Sequence, residues 1–468
     1  MTESTAPRPL RVAIVGAGPA GVYAADLLLK SAPVSSGERP VRIDLFDRYP
    51  APWGLIRYGV APDHPRIKGI VNALHKVLQR DEIRFFGNVE FGKDADLAFF
   101  RRFYDAVIFA TGAVKDAALP IPGIEAEGSF GGADFVSWYD GHPDVPRTWD
   151  LSAKEVAVIG NGNVALDIAR VLSKHADDLL VTEIPENVYE GLKSSAVTDV
   201  HVFGRRGPAQ VKFTPLELRE LSHSRDVDIV LYEEDFEFDD ASDEAIRTNN
   251  QVRTMVNTLT NWLVEQEERT EQASRRLHLH FLHSPREILT DERGAVRAMT
   301  FDRQELDGHG NVTATGEVVE YPVQAVYRAV GYFGSPLEGL EYDDRRGVLP
   351  NDGGHVLDSA GEIVPGVYAT GWIKRGPVGL IGHTKSDASE TIAMLLEDAD
   401  SLYTAESPEP ESVDAALEAK GVEFTTWEGW LELDAHERAL GTDGEWPVER
   451  ERVKVVDRDD MVRISRGR

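Results

Sequence analysis

Two kinds of apolar pattern alternate along the chain. Nearly continuous apolar runs recur at Val12–Val15, within Tyr104–Ala113, at Val156–Ile159 and within Ala325–Tyr332, each leading into a glycine. Runs this short read as strands buried on both faces, the kind found in parallel sheets. Between them, apolar residues return every three or four positions, which predicts amphipathic helices: Gly21–Leu29, the stretch beginning near Ala165, and a stretch from about Leu179 to Ser194. Later, Ala388, Ile392 and Leu395 share one helical face, and "TTWEGWLELDAHERALG" has helical spacing expected to pack on the first domain. Strand and helix in alternation predict an α/β architecture.

The turns between strand and helix carry the chemistry. After Val12–Val15 come Gly16, Gly18 and Gly21 in GxGxxG spacing, then a helix, then the strand "VRIDLFD" ending at Asp47. In such a unit the first glycine permits the turn, the second lets backbone approach a pyrophosphate and the third lets helix pack on strand, while the acid meets the adenosine ribose. The unit recurs at "VAVIGNGNVALDIARVL", with Gly160, Gly162 and Ala165 in the glycine positions. Its next strand, in "DVHVFGRRGP", ends in Arg205 and Arg206 rather than an acid, which suits the 2′-phosphate of NADP. Two nucleotide sites, the first with an acid and the second with arginines, are the pattern of a flavoprotein binding FAD first and NADP second. The expected fold is therefore two Rossmann-like dinucleotide-binding domains, the NADP domain inserted into the FAD domain. The expected boundaries give 1–113 to the first part of the FAD domain, 114–326 to the NADP domain, and 327–468 to the second part of the FAD domain with a C-terminal extension. The strands in Tyr104–Ala113 and Ala325–Tyr332 read as the chain leaving and re-entering the first domain, with Pro-rich Leu119–Gly123 as the linker out.

Bulk composition narrows the function. At 468 residues the chain exceeds one small core. Its formal net charge of −30 argues against a sequence-independent grip on nucleic acid. No apolar run is long enough to span a bilayer and the N-terminal residues lack the apolar core of a secretory signal, so a cytoplasmic protein without membrane contact is expected. There is no cysteine. Disulfides, thiolate metal sites, cysteine-ligated iron–sulfur clusters and redox Cys pairs are thereby excluded, and no metal site is expected. Any electrons the chain moves pass through a non-covalent cofactor.

Taken together, the segments "VAIVGAGPAGVYAA", "PWGLIRYGVAPDHP", "VAVIGNGNVALDIARVL", "VFGRRGP", "FTPLELREL", "RAVGY" and "GWIKRGPVGLIG" resemble those of the adrenodoxin reductase family of ferredoxin–NADP reductases, including its actinobacterial members. The resemblance covers nearly the whole chain. It implies that Gly16, Gly18, Ala20, Asp47, Leu55 and Val89 line the FAD adenosine and pyrophosphate site, with Gly21 completing the fingerprint. It implies that Asn163, Val164, Ala165, Leu166, Arg205, Arg206 and Glu217 hold NADP, and that Trp372, Gly379, Leu380 and Ile381 meet the flavin ring. His64 and Glu220 match the family's polar residues near nicotinamide and isoalloxazine, and are the catalytic candidates. Three departures stand out. Ala117 occupies a position where relatives carry an NADP-binding arginine, with Lys115 nearby as a substitute. His383-Thr384 replaces a usual Thr-Asn. Trp372 stands where many flavin-dependent reductases carry an aspartate.

The implied activity passes a hydride from NADPH to FAD and then single electrons to ferredoxin, or the reverse, in a chain expected to be monomeric. Hydride transfer needs stacked rings and a stabilised developing charge, which the N-terminus of the helix after "GPVGLIG" would supply. Thr214 and Pro215 read as N-cap and N1 of a helix bearing Glu217 and Glu220. Candidate cations for an acidic ferredoxin are Arg57, Arg66, Lys68, Lys76, Arg80, Arg247 and Arg253, and Glu233–Ala245 reads as a solvated acidic loop. Two other readings stay open: an NADPH-dependent diaphorase-type flavoprotein with a non-ferredoxin acceptor, and a flavin-binding redox sensor.

Overall fold

In the computed structural model, which describes residues 8–379 and 381–468, the apolar runs become the central strands of two sheets. The first orders Asn351–Asp352, His355–Leu357, Ile363–Ala369, Ala106–Phe109, Leu10–Val15, Val41–Phe46 and Ile83–Phe86. Its last five strands are parallel, and Ile363–Ala369 pairs with Ala106–Phe109 across most of the chain's length. Both ends of the chain therefore build this sheet. The second orders Ser129–Gly131, Ala325–Arg328, Glu155–Ile159, Asp199–Phe203, Arg275–His280 and Val227–Val230, all parallel. In each sheet the strand before the glycine turn lies inside, with neighbours reached in opposite directions. That reversal makes the crevice in which doubly wound sheets bind ligands.

Both faces of each sheet are covered, as the continuous apolar runs require. Helix Pro19–Lys30 packs on one face of the first sheet beside Ala388, Ile392 and Leu395 of helix Ile381–Asp398. Helix Asn163–Ser173 covers one face of the second. The opposite face is covered by an antiparallel sheet of His283–Thr290, Val296–Leu306 and Val312–Tyr321, whose Ile288, Met299 and Phe301 pack on Ala157, Phe203 and Val326. Helix Trp427–Thr442 buries Trp430 and Leu433 in the core of the first sheet, as its spacing predicts.

Three expectations change. Ala325–Arg328 belongs to the second sheet, paired with Glu155–Ile159, so it is not the strand that re-enters the first domain. The chain instead crosses between the sheets on a two-stranded ribbon of Lys115–Asp116 and Tyr332–Phe333. The helical stretch near Leu179–Ser194 is two helices, Ala176–Leu179 and Glu186–Lys193, because Pro185 caps the second. The acidic run at Glu233–Ala245 is not simply solvated: Asp235 is buried against Arg303 and the Phe281 amide, and Asp239 caps helix Asp240–Thr248 through the Ser242 amide.

Candidate functional site

The two glycine turns are built to the same plan. Gly16 N–H donates to Phe46 O and Ala110 N–H to Val15 O; in the second sheet Gly160 N–H donates to Phe203 O and Ala329 N–H to Ile159 O. Gly16 has φ +115° and Gly160 φ +141°. A Cβ on either would lie 2.3 or 2.2 Å from the carbonyl oxygen of Ala110 or Ala329, each the residue after the neighbouring strand. Only glycine fits, for backbone dihedral and for space. Gly21 allows the helix onto the strand, since its Cβ would meet Gly16 O at 2.0 Å. Gly18 and Gly162 have no such crowding and cap helices Pro19–Lys30 and Asn163–Ser173 without a side-chain hydrogen bond or a first-turn acid. Each presents free amides and the positive end of a helix dipole to an anion.

Around the first turn, Asp47 does more than end a strand. Its Oδ2 accepts from Ala17 N–H at 2.8 Å and its Oδ1 from Tyr49 N–H at 3.0 Å, so the carboxylate pins the glycine turn. Burial pushes its pKa up to about 6 against those two hydrogen bonds. Trp53, which the motif reading passed over, holds the turn from the other side: its amide donates to Ala17 O at 3.0 Å. Its φ of +88° is a strained conformation for a tryptophan. Gly54 follows at φ +48°, where a Cβ would be 3.0 Å from Gly18 Cα. The "PWG" tripeptide was the available signal for this contact. Leu55 begins the next short helix, and Val89 is buried with its amide on Asp47 O.

The late segment reaches the same place. Gly371, at φ +70°, lies against the first helix, where a Cβ would be 2.6 Å from Ala20 Cβ. Trp372 follows as the first residue of helix Trp372–Arg375, which is tied to helix Ile381–Asp398 by Lys374–Glu390 and Arg375–Asp387 pairs. Gly379 takes φ +88° beside His383. Leu380 lies outside the described residues, and Ile381 is described only as the start of its helix. Four buried polar groups near the first turn have no hydrogen-bond partner among the described residues: Trp53 Nε1, Thr111 Oγ1, Thr370 Oγ1 and Trp372 Nε1. Buried donors and hydroxyls are ordinarily paired. Together with the crowded glycines and the uncapped helix, they fit a large polar cofactor such as FAD.

The second turn gathers cations. Arg205 is exposed and Arg206 partly so, at the end of Asp199–Phe203, and neither forms an ion pair among the described residues. Asn163 Oδ1 accepts from Thr214 N–H at 2.9 Å, and Thr214 caps Glu217 N–H as expected. Val164 is partly buried; Ala165 and Leu166 are buried in the sheet's core. Lys115 is exposed on the crossing ribbon, with Ala117 bonded through its amide to Gly331 O.

Between the sheets lies a buried ionic cluster. His64 is 5% exposed; its Nε2 is 2.8 Å from Asp167 Oδ1, 2.9 Å from Glu217 Oε2 and 2.8 Å from Arg170 Nη2. One nitrogen cannot donate to a carboxylate and accept from a guanidinium at once. Two carboxylates outweigh the one cation, so Nε2 carries a proton and the surroundings favour the charged ring. Burial alone would lower its pKa, but hydrogen bonds to Asp167 and Glu217 raise it to about 9. Arg170 is fully buried and also grips Asp63 through two bonds of 2.8 Å; with Lys174 it holds Asp63 well below the usual carboxylate range despite burial. The loop carrying Asp63 and His64 is thus fastened to helix Asn163–Ser173. Glu220 is not part of this: it faces His223 at 3.7 Å. Of the two catalytic candidates only His64 enters the cluster, with Glu217 as its partner. Asp167 and Arg170 carried no local motif signal, because "ALDIAR" reads as an ordinary helix. Two of the proposed docking cations are also internal, Arg57 being paired with Glu437 and Lys68 with Asp140 and Glu183.

A family model described as pyridine nucleotide-disulphide oxidoreductase matches residues 10–201, although this chain has no cysteine. The chain is 40% identical to the NADPH-ferredoxin reductase FprA of Mycobacterium tuberculosis, over 98% of this chain and 100% of that one. It is 35% identical to the mitochondrial NADPH:adrenodoxin oxidoreductase of Arabidopsis thaliana, over 98% and 96% of the two chains. The solved structure of Mycobacterium tuberculosis FprA in complex with NADPH superposes with a TM-score of 0.88 at 38% identity, covering 98% of this chain and all of that one.

Proposed function

Because this chain belongs to the adrenodoxin-reductase type of NADPH–ferredoxin reductases, we propose that its first glycine turn holds FAD, its second holds NADPH, and ferredoxin is its acceptor. It is an FAD-dependent oxidoreductase that carries electrons from NADPH to an iron–sulfur protein. Bound FAD would accept a hydride from NADPH and release the two electrons singly. The supporting observation is the duplicated turn: two uncapped helix N-termini, one beside an acid and one beside two unpaired arginines, in a single chain.

In this reading Gly16, Gly18 and Ala20 bring backbone to the FAD pyrophosphate, while Asp47 and Trp53 keep the turn rigid. Thr111, Thr370 and Trp372 offer polar groups to the rest of the cofactor, and Gly379 leads into a helix N-terminus that favours negative charge. Arg205 and Arg206 read the 2′-phosphate. Helix Asn163–Ser173 directs its amides at the NADPH pyrophosphate, with Asn163 holding Thr214 and hence the Glu217 helix in place. His64, protonated and buried with Glu217, sits where the two nucleotide domains meet and is a candidate to position nicotinamide or hold a proton. Residues 1–113 and 329–468 are proposed as the FAD domain around the NADP domain 114–328, the expected boundary after 326 moved so that strand Ala325–Arg328 stays whole in the second sheet. The cytoplasm is the proposed site of action. Among the described residues no helix is long and apolar enough to cross a membrane.

The purified protein is expected to be yellow and to bleach under anaerobic NADPH. Its cytochrome c reduction should rise at least tenfold on adding ferredoxin; equal turnover with and without ferredoxin would overturn that acceptor while leaving the flavin assignment standing.

A further inference from the structure

The second sheet carries a histidine group that electron transfer does not use. His278 and His280 are two apart on strand Arg275–His280 and so share a face. His201, on the adjacent parallel strand, stands opposite His278 in register. The three are 9, 7 and 2% exposed, for His201, His278 and His280 respectively. One nitrogen from each ring lies within 4.8 Å of the others.

Their hydrogen bonds resemble a ligand set. His201 Nδ1 is 3.0 Å from His280 Nε2, near the roughly 3.4 Å between two ligands of a tetrahedral ion with bonds of about 2.0–2.1 Å. His278 Nε2 is 2.9 Å from Asp199 Oδ1. That carboxylate fixes a proton on Nε2 and leaves the lone pair on Nδ1, which accepts from the Tyr232 hydroxyl at 2.8 Å; an ion would take that hydroxyl's place, with the carboxylate behind the ring as is common for metal-bound histidines. Burial lowers the pKa of all three, that of His201 to about 3, so the rings are neutral at physiological pH. The charged and titratable groups around them include Asp199, its partner Arg276, Glu155 at 3.9 Å from His201 Nε2, Tyr232 at 2.8 Å from His278 Nδ1, and Arg303, whose charge acts on His280 from the antiparallel sheet. His283 is engaged through both nitrogens, with Phe281 O and the Tyr321 hydroxyl. The other group with ligand spacing among the described residues, His64–Asp167–Glu217, already holds the Arg170 guanidinium.

We propose that His201, His278 and His280 form a binding site for a divalent transition-metal ion of the imidazole-preferring class, Zn²⁺ foremost, bracing the second sheet. Binding replaces the His201–His280 hydrogen bond and turns His278 out of its stack on His201, whose ring lies 4.2 Å away with planes 12° apart. Each ring keeps one proton, on the nitrogen facing away from the ion.

The test titrates tag-free, chelator-stripped holoprotein with Co²⁺ and displaces it with Zn²⁺. One equivalent with ligand-field bands is expected. His201→Phe and His280→Phe preserve the ring stack and should weaken binding at least 100-fold with flavin absorbance unchanged. Absence of stoichiometric binding, or binding that survives both substitutions, overturns the site. Should the variants not fold, the electron paramagnetic resonance spectrum of the wild-type Cu²⁺ complex reads the ligands directly. Three coupled nitrogens support the site, and two or fewer overturn it.

Discussion

The imidazole of His64 stands 2.9 Å from the carboxylate of Glu217, joining a loop beside the first sheet to helix Pro215–Ser222 beside the second. With Asp167 on the same nitrogen, this adds a titratable link between the two nucleotide-binding halves beside the permanent Arg170–Asp63 and Lys174–Asp63 pairs.

A pH dependence follows from that titratable link. The folded-state pKa of His64 is raised from 6.5 to about 9, so its stabilisation is fully present below pH 6.5 and is lost as pH rises through 9. A rise of this size corresponds to on the order of 3 kcal/mol. The difference in thermal midpoint between wild type and His64→Gln should be several degrees at pH 6 and should close by pH 10. Glu217→Gln should flatten the same dependence and Glu220→Gln should not. A gap that stays constant from pH 6 to 10 would show that the ring is neutral in the fold.

Nucleotide choice depends on Arg205 and Arg206. Hydrogen bonds to charged groups contribute about 1.5–3 kcal/mol each, so Arg205→Ala with Arg206→Ala should weaken NADPH binding by roughly 100-fold or more and NADH binding by less than about threefold. Calorimetric titration of both nucleotides separates the cases. Equal losses would mean that the arginines meet the pyrophosphate or nothing.

What the chain discloses locally is what steric or dipolar rules dictate locally. Gly16, Gly21 and Gly160 were legible because a tight turn against a neighbouring strand excludes every other residue. Thr214 was legible because a cap acts within its own turn. Asp167 and Arg170 were not, since their partners Asp63 and His64 lie far away in sequence on another domain. Nor could the pattern say which sheet takes Ala325–Arg328, because strands buried on both faces look alike in either. The acidic run misled for the opposite reason: its net charge hid that Asp235 is paired internally with Arg303.

Gly16, the first glycine of one turn, and Gly162, the second glycine of the other, should differ sharply on substitution. Gly16→Ala forces a Cβ within 2.3 Å of Ala110 O at φ +115°, and should cost several kcal/mol of stability with loss of bound flavin. A Cβ on Gly162 meets nothing within 4 Å, and its φ of −102° suits any residue. Gly162→Ala should therefore fold and keep its flavin, but raise the KM for NADPH severalfold if that backbone approaches the nucleotide. Flavin-to-protein absorbance ratio and steady-state kinetics read the two outcomes. An unchanged KM in Gly162→Ala would place the pyrophosphate elsewhere.

Trp372 is the position where this chain has an indole in place of the common aspartate. Its helix is seated on Ala20 through Gly371 and clamped to the following helix by Arg375–Asp387, so the backbone there is held independently of the indole. Trp372→Phe should then preserve the shielding ring and lose only what Nε1 donates, whereas Trp372→Ala should lose both. The expected order is near-normal flavin content for Trp372→Phe, and for Trp372→Ala a lower content or a hydride-transfer rate reduced about tenfold, measured by anaerobic stopped flow. If Trp372→Ala retained both flavin content and rate, the backbone amides of this segment would be sufficient for the cofactor, and the indole would be confined to packing.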